Sequence, residues 1–315
     1  MNPTVSIIVA TYNRSGYILE AIASISNQTF KDWECLIVDD GGTDNTKEVL
    51  LPILAKDHRF KYYLRSSEYQ KGLPGARNYG LDLAKGDYII FFDDDDIVHP
   101  QNLEFCVKEL ESNTDISFCR YISNVFKGAF DGRFDYANEY ATFYIDYRDL
   151  GKIIKNELQI ISCAVMWRKG CFENNRFQES LMYAEEWELY TRIISSGCKG
   201  ISIEKTLYFG RKHPDSNTGE FYNNDSVRKA SYADAIQLVV ATLHQRGLVS
   251  NDIIRYFTQI SLKFKSYDLF ARILDTLDLN FFEKLKWQLF YMQLPFRLFL
   301  YKIKKRLLQN SQISN

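Results

Sequence analysis

The sequence predicts an α/β fold, with a mixed, mainly parallel sheet flanked by helices and a helical C-terminal extension. Three observations indicate this class. Short apolar runs alternate with helical periodicity through the first hundred residues, which is typical of parallel sheets. Strand and helix patterns mix between Pro100 and Asp225, and the pattern beyond Asp225 is helical. We therefore expect an α/β domain over residues 1–222 and a helical region over residues 223–315.

Strands and helices alternate in the first hundred residues. Buried strands are predicted at residues 5–10, 34–40, 60–64 and 87–92, because each run is apolar and short. Ser15 is a candidate N-cap for the helix after the first strand. Pro74 stands near the start of the helix after the third strand, and Gly86 lies just past its end. Each of these strands is thus separated from the next by a polar loop and a helix.

Beyond Pro100 the order of elements changes. Strands are predicted over 115–122 and 160–167, a helix over 183–197, and the end of a short strand from residue 207. The aromatic and polar stretch 123–150 predicts a mobile loop or an insert that binds a ligand. After Asp225 the apolar residues recur at the three- and four-residue spacing of amphipathic helices.

Composition excludes several classes of protein. With 46% hydrophobic residues the chain can form a substantial core, and a net charge of −1 provides no field for attracting nucleic acid. The six cysteines form no CxxC pair and have no His at zinc-ligand spacing, so they predict buried thiols in a reducing compartment. The N-terminus lacks the basic region of a signal peptide, and no apolar run reaches the ~18 residues of a membrane span. We expect a cytoplasmic protein that binds no nucleic acid.

Polar groups follow three of the predicted strands. They are Thr11 to Asn13, then Asp39 and Asp40, and finally the four adjacent carboxylates Asp93 to Asp96. The carboxyl ends of parallel strands meet at one edge of a sheet, and ligands bind at that edge. Each set alone is also explained by a turn, since Asp is a common turn residue. Together the three sets favour a site.

Four adjacent carboxylates repel one another and need either full exposure or a compensating cation. Mg²⁺ and Mn²⁺ prefer carboxylate, water and phosphate oxygens, so a bound diphosphate could complete the ligand set of a cation held by Asp93–Asp96. An EF-hand does not fit, because the run lacks the required Gly and late Glu and follows a strand. The run therefore predicts a metal site, with a solvated turn as the alternative.

Five segments occur in a characteristic order, namely VSIIVATYNR, LIVDDGGTDNT, GLPGARNYGL, FFDDDDIVHP and AEEWELYTRI. In this order they resemble the successive motifs of glycosyltransferase family 2, over residues 3–220. The resemblance implies the GT-A fold, with a nucleotide-binding half at 1–100 and an acceptor-binding half at 101–222. It also implies inverting transfer from a nucleotide-diphosphate sugar, with a UDP-sugar favoured, to a glycan or lipid-linked acceptor in surface polysaccharide biosynthesis.

The resemblance assigns donor contacts by position. For the nucleotide-sugar it implies Thr11, Tyr12, Asn13, Asp40, Arg77, Asp93 and Asp94. Tyr12 matches the residue that lies against the base, and Asp40 matches a carboxylate that accepts a hydrogen bond from the base. Arg77 matches a residue near the diphosphate or the base. The alternatives are a packed aromatic for Tyr12 and a solvated helical arginine for Arg77.

The resemblance also implies a divalent cation, Mn²⁺ or Mg²⁺. Asp95 matches its first ligand, and Asp93 contacts the ribose or the donor sugar and shares the metal. His213 matches a histidine in a segment that closes over the diphosphate, with an ordinary surface histidine as the alternative. The run of four Asp leaves this register open by one residue. Asp96 is expected to cap the helix after Pro100 or to support the metal ligands.

Inverting transfer needs a base that removes a proton from the acceptor hydroxyl as the nucleoside diphosphate leaves. The family places this base at the Asp of a Glu-Asp pair, and the matching residues here are Glu185 and Glu186. The resemblance therefore implies a catalytic pair with Glu186 as the base, carried on one extra methylene. An acidic first helical turn that complements the helix dipole is the alternative.

The sequence also bears on competing functions. The QxxRW motif of processive polysaccharide synthases is absent, which favours transfer of single sugars. A sugar nucleotidyltransferase would open with a Gly-rich, basic phosphate loop, which VATYNRSGY does not provide. A lectin or scaffold that binds sugar nucleotides without catalysis is the other alternative.

The C-terminal tail is basic. No Asp or Glu occurs from Lys284 onward, whereas seven Lys or Arg lie in residues 284–306. Pro295 is expected to break or kink the helix, and Phe296, Leu300, Ile303 and Leu307 after it share one face. Residues 284–308 therefore predict either a peripheral membrane contact on the cytoplasmic face or a terminal helix packed on the domain.

Overall fold

The structure is a computed structural model that describes residues 2–213, 219, 221 and 225–313, with side chains as far as residue 299. The chain forms two compact units, Met1–Ala235 and Ile236–Asn315. The first unit contains the sheet, and the second is helical. The domain boundary expected after residue 222 stays a prediction.

Among the residues that the structure describes, the first unit is built on a nine-stranded sheet. Its strands are β1 Val5–Thr11, β2 Trp33–Asp39, β3 Phe60–Leu64, β4 Tyr88–Asp93, β5 Ile97–Val98, β6 Phe118–Phe126, β7 Thr142–Ile145, β8 Val165–Arg168 and β9 Gly200–Arg211. The strand order is β3-β2-β1-β4-β8-β6-β9-β5, and β7 also pairs with β9. β1 to β4 are mutually parallel, whereas β8 pairs antiparallel with β4 and β6. The predicted mixed sheet is confirmed.

The described part of the first unit also contains the helices given next, all but the last of which lie between strands of the sheet, as expected. They are α1 Ile18–Ser26, α2 Thr46–Lys56, α3 Leu73–Leu83, α4 Asn102–Ser112, α5 Leu150–Ile154, α6 Glu185–Ser195 and α7 Ser226–Gln245, which crosses from the first unit into the second. One expected cap is wrong. Ser15 does not cap α1, because the helix begins at Ile18 and Tyr17 occupies its N-cap position.

The parallel strands β1, β2 and β4 end at the same edge of the sheet. β1 and β2 are buried along nearly their whole length, as expected for parallel strands covered on both faces. Thr11 of β1 lies opposite Asp39 of β2, and Ala10 lies opposite Asp93 of β4. The polar groups that follow these strands therefore emerge together at one edge of the sheet.

Helix α3 approaches β1 closely. A Cβ atom added at Gly80 would lie 2.5 Å from Cγ2 of Ile8, which is closer than real side chains come. Glycine at this position thus allows the helix backbone to pack directly on the strand. The close packing fixes the position of Arg77, which is buried on α3 one turn earlier.

The second half of the sheet differs from the predicted strands: β5 and β7 were not predicted, β6 runs on to Phe126, and β8 and β9 have other lengths. β8 covers only Val165–Arg168, because Ser162–Ala164 form a 3₁₀ turn in which Ser162 bonds to a side chain of α6. β9 is a twelve-residue strand rather than a short one, since β5, β6 and β7 all pair with it. Between β6 and β7, residues 127–141 contain no regular structure.

The second unit is helical, as predicted. It continues α7 and adds α8 Asn251–Lys263, α9 Tyr267–Thr276 and α10 Phe281–Ile313. The hydroxyls of Ser250 and Ser266 cap α8 and α9 by accepting a backbone N–H three residues later. α10 continues through Pro295 over 33 residues, so the proline does not break the helix, and the expected kink stays a prediction.

In the part of the chain that the structure describes, no helix has both the length and the hydropathy needed to cross a bilayer.

Candidate active site

The end of β1 presents an aromatic ring at the edge of the sheet. Thr11 is buried, whereas the side chain of Tyr12 is 45% exposed. Nζ of Lys71 lies 4.7 Å from the centroid of the Tyr12 ring. An exposed aromatic ring can stack on a nucleobase. The Lys71 ammonium beside it favours the negative charge of a nucleotide at the same place.

Asn13 and Asp39 build the loops around this ring. Asn13 has a φ of +54°, a conformation that asparagine tolerates better than most residues, and its Oδ1 accepts the backbone N–H of Thr43 over 2.6 Å. Oδ1 of Asp39 accepts the N–H groups of Gly41 and Gly42 over 2.9 and 2.7 Å. The Asn13 side chain thus braces the β2–α2 loop, and its predicted contact with a nucleotide-sugar stays a prediction.

Asp40 joins the end of β2 to the loop after β3. Nε of Arg65 donates to its Oδ1, and the backbone N–H of Gly72 donates to its Oδ2 over 2.9 Å. The side chain of Asp40 is 8% exposed. Sequence reasoning missed Arg65, although this residue directly follows a strand and so obeys the same strand-end rule that selected Asp40.

The four adjacent carboxylates Asp93–Asp96 are called the Asp run below. The first two of them have different partners. Oδ1 of Asp93, at the end of β4, lies 3.1 Å from Nη2 of Arg77, and the Asp93 side chain remains 41% exposed. Asp94 is buried and lies 3.6 Å from Nε of Arg14. Burial raises the pKa of Asp94 to about 7. Asp93 is therefore the more accessible of the two for a donor sugar or ribose.

Asp95 is paired with the histidine that the sequence singled out. Nε2 of His213 lies 2.7 Å from Oδ2 of Asp95. The imidazole stacks on the ring of Tyr17, with ring centroids 5.5 Å apart. Nδ1 of His213 is buried and has no hydrogen-bond partner among the described residues. The structure thus brings together two of the three predicted metal ligands.

Asp96 connects the Asp run to β9. Its Oδ2 accepts the hydroxyl of Tyr208 over 2.8 Å, and its Oδ1 accepts the backbone N–H of Arg211 over 2.6 Å. The Tyr208 oxygen in turn accepts the N–H of Asp93 over 3.1 Å. The expectation that Asp96 caps the following helix is wrong, because these bonds engage both of its oxygens and Gln101 occupies the N-cap of α4.

Two sets of side chains could hold a cation. Carboxylate oxygens of Asp93 and Asp96 and Sγ of Cys163 lie within 4.8 Å of one another. Burial raises the pKa of the Cys163 thiol well above its usual range, so it favours the protonated form, and Asp96 already bonds to Tyr208 and Arg211. Asp95 is the better candidate, because its carboxylate supplies oxygens of the kind that Mn²⁺ and Mg²⁺ prefer, the set contains no protonated thiol, and the imidazole of His213 lies beside it.

Arg77 bridges the Asp run and the predicted catalytic pair. Its Nη1 lies 3.2 Å from Oε1 of Glu185 and 3.9 Å from Oε2 of Glu186, both in the first turn of α6. Its Nη2 contacts Asp93. The guanidinium is 4% exposed, so it is a buried cation shared among three carboxylates. The structure therefore joins two of the predicted donor contacts, Arg77 and Asp93, to the predicted catalytic pair in one network.

Glu186 is held by a residue that the sequence did not indicate. The backbone N–H of Ser162 donates to its Oε2 over 2.9 Å, and the Ser162 hydroxyl donates to the same oxygen. The Glu186 side chain is 28% exposed. The surrounding protein raises the pKa of Glu186 to about 7, because the loss of solvent and the charge of Glu185 outweigh the attraction of Arg77. A carboxylate with this pKa is suited to general base chemistry near neutral pH.

Comparison with known proteins gives a family. The model of the family described as Glycosyl transferase family 2 matches residues 6–175. An uncharacterized glycosyltransferase of Rickettsia conorii is 32% identical over 236 residues, which cover 71% of this chain and 35% of that protein. The GalNAc(5)-diNAcBac-PP-undecaprenol beta-1,3-glucosyltransferase of Campylobacter jejuni is 28% identical over 255 residues, 80% of this chain and 75% of that protein. The chain spans about a third of the length of its Rickettsia relatives.

Solved structures share the fold. TarS 1-349 of S. aureus in complex with UDP-GlcNAc has a TM-score of 0.63 at 18% identity, covering 93% of this chain and 81% of that chain. The mannosyltransferase PcManGT of Pyrobaculum calidifontis, in complex with GDP-Man and Mn²⁺, has a TM-score of 0.52 at 14% identity, covering 88% and 86%. At these identities the likeness is one of architecture.

Proposed function

The chain belongs to glycosyltransferase family 2, and we propose that it moves a single sugar from a nucleotide-diphosphate sugar to an acceptor hydroxyl with inversion. The GT-A fold predicted from the sequence is confirmed by the likeness to TarS. The observation that carries the proposal is the Arg77 network, in which one buried guanidinium joins Asp93 at the strand ends to Glu185 and Glu186 on α6. Donor and base groups are thereby held at one site.

In this proposal the donor nucleotide binds at the ends of β1 and β2. The exposed ring of Tyr12 stacks on the base, and Asp40 accepts a hydrogen bond from a base N–H while Arg65 and Gly72 hold its carboxylate in place. A UDP-sugar is favoured, because the TarS structure with UDP-GlcNAc shares the fold. The GDP-mannose complex of PcManGT makes GDP the main competitor.

The diphosphate and the sugar lie beside the Asp run. Asp95 and His213 would hold Mn²⁺ or Mg²⁺, and Asp93 is the accessible carboxylate for the ribose or the donor sugar. Such an ion neutralises the charge that develops on the leaving diphosphate. Asp94 and Asp96 are buried and support the turn that carries the other two carboxylates.

Glu186 acts as the base. Its carboxylate takes the proton of the acceptor hydroxyl, the acceptor oxygen forms a bond to the anomeric carbon, and the bond from that carbon to the diphosphate breaks with its electron pair. Ser162 orients the Glu186 carboxylate, while Glu185 and Arg77 set its charge environment. Attack from the side opposite the leaving group inverts the anomeric configuration.

The acceptor is proposed to be a glycan or a lipid-linked glycan in surface polysaccharide assembly, used at the cytoplasmic face of a membrane. Support comes from the Campylobacter relative, whose name includes an undecaprenol-linked acceptor. The absence of the QxxRW motif favours single additions over processive synthesis.

Calorimetric titration with UDP, GDP and dTDP, each with and without Mn²⁺, tests this proposal. We expect tight binding of one nucleotide that requires both Mn²⁺ and Asp95, so that Asp95→Ala loses the effect of the metal. Asp131→Ala, which removes an exposed carboxylate elsewhere, is the matched control. If a folded sample binds none of the three nucleotides, or if Asp95→Ala binds as the intact protein does, the donor site is misassigned.

A further inference from the structure

One face of α10 is apolar and exposed. The outer stripe of α10 is formed by Phe281, Phe282, Leu285, Leu289, Met292, Phe296 and Phe299. Phe282 is 79% exposed and Met292 is 65% exposed. At 3.6 residues per turn these side chains fall within a strip about 100° wide along the helix. A strip of this length and width is a continuous surface rather than scattered exposed residues.

The opposite face of the same helix is packed. Trp287 and Leu294 are buried, and the ring of Tyr291 stacks on Phe270 of α9 with centroids 4.4 Å apart. One face of α10 is thus packed, as the alternative of a terminal helix packed on the domain expects. The outer stripe is apolar surface that this packing leaves exposed.

Basic residues line both edges of the outer stripe. Lys284 lies along one edge, and Lys286 and Arg297 lie along the other, by the same helical geometry. No Asp or Glu occurs between residues 284 and 299. The sequence beyond residue 299 adds four more Lys or Arg and no acid. Lys284 also pairs with Asp275 over 3.0 Å, so within the described residues the clearly positive edge is the one formed by Lys286 and Arg297. The surface thus combines an apolar centre with basic residues at its edges.

We propose that the outer stripe docks α10 on an anionic lipid bilayer, with the helix axis in the plane of the surface. The apolar side chains enter the acyl boundary while the long basic side chains reach the lipid phosphates. A second copy of the chain is a poor occupant, because pairing two such stripes would bring basic edges against basic edges. This docking goes beyond sugar transfer and does not depend on it.

Co-sedimentation of the full chain with vesicles tests the docking surface. One set of vesicles contains phosphatidylcholine alone, and the other contains phosphatidylcholine with phosphatidylglycerol. We expect partitioning to the anionic vesicles that is at least about tenfold stronger than to the neutral ones and that weakens as salt shortens the screening length. Lys286→Gln/Arg297→Gln should weaken it, and Leu289→Gln/Met292→Gln should reduce it at least about tenfold.

Leu51→Gln/Val227→Gln removes two exposed apolar side chains outside the stripe and is the matched control, which should bind vesicles as the intact chain does. Light scattering without lipid measures self-association. Equal vesicle binding by the Leu289→Gln/Met292→Gln protein, absence of any binding, or a concentration-dependent dimer that this variant dissolves would each overturn the proposal. Nucleotide titration of the same variants separates a lost membrane surface from a damaged donor site.

Discussion

Nη2 of Arg77 lies 3.1 Å from Oδ1 of Asp93, which joins the middle of helix α3 to the end of the central strand β4. The other terminal nitrogen of the same guanidinium lies 3.2 Å from Glu185 on α6. A single buried cation therefore balances carboxylates that we assign to the donor and to the base. Any substitution of Arg77 therefore affects both Asp93 and Glu185.

Arg77→Ala should lower the free energy of unfolding by about 3–5 kcal/mol, because removal of one partner from a buried ion pair leaves the others without compensation. Urea denaturation measures the loss. The control is Arg176→Ala, which breaks a half-exposed pair with Asp82 and should change stability by at most about 1 kcal/mol. Equal losses in the two variants would contradict the central role of Arg77.

Glu186 should produce an acidic limb in the pH dependence of kcat. Its pKa is raised to about 7, and the base must be ionised, so the rate should fall about tenfold for each pH unit below that value. Glu186→Gln should reduce kcat by about 10²–10⁴-fold above pH 7 and should lack the acidic limb, so the difference from the intact enzyme should shrink as the pH falls below 7. A pH profile in Glu186→Gln identical to that of the intact enzyme would assign the limb to another group.

The raised pKa of Glu186 also makes the stability of the protein depend on pH. The native state holds the Glu186 proton more tightly than the unfolded chain does, so this group contributes stability at low pH and loses it as pH rises through about 7. Glu186→Gln, which cannot ionise, should therefore be more stable than the intact protein at pH 8, and this advantage should shrink towards pH 5. Thermal unfolding at the two pH values provides the comparison.

His213→Ala should weaken Mn²⁺-dependent nucleotide binding by at least about tenfold, since loss of a group that orients or ligates a metal typically has this effect. His58→Ala, which removes an exposed histidine before β3, is the control. Chelation of the metal by EDTA should bring the intact protein and His213→Ala to the same affinity. If the two proteins still differ after chelation, His213 acts on the nucleotide without the metal.

Tyr12→Ala should weaken nucleotide binding by about 1–3 kcal/mol, the usual contribution of one base stacked on an aromatic ring. Tyr12→Phe keeps the ring and should bind as the intact protein does. Stability should change little, because the side chain is 45% exposed. Tyr147→Ala removes an equally exposed tyrosine elsewhere and should leave affinity unchanged.

Gly75→Ala should destabilise the turn into α3. An added Cβ would lie 1.9 Å from the carbonyl oxygen of Gln70, in the loop whose Gly72 N–H binds Asp40. We expect a stability loss of at least about 1–3 kcal/mol together with weaker nucleotide binding. Gly151→Ala, where a Cβ meets nothing within 4 Å, should be neutral or slightly stabilising in the same denaturation assay.

The alternation of apolar runs and helices was sufficient to predict the first four strands, because a buried parallel strand has to be apolar and short. It also placed Asp40, Asp93 and Asp95 at one edge, since strand ends in a parallel sheet coincide. The extent of β9 was missed because its length depends on three pairing partners that lie elsewhere in the chain.

The residues that hold the site in place were not predictable in this way. Ser162 lies 24 residues from Glu186, and Tyr208 lies 112 residues from Asp96. Periodicity reports which face of an element is buried, but it does not report which distant side chains meet. Arg65 is the exception. It directly follows β3, so the strand-end rule that selected Asp40 could also have selected Arg65.

Because β1, β2 and β4 end at the same edge of the sheet, the places where residues can be inserted or deleted are restricted. A residue inserted into β1 would turn each later side chain of the strand to the other face and displace Tyr12 and Asn13 together. Residues 127–141, which contain no regular structure, are free of that constraint. We therefore expect insertions and deletions that preserve activity to occur mainly in residues 127–141. Changes there do not displace Tyr12 and Asn13 at the edge of the sheet.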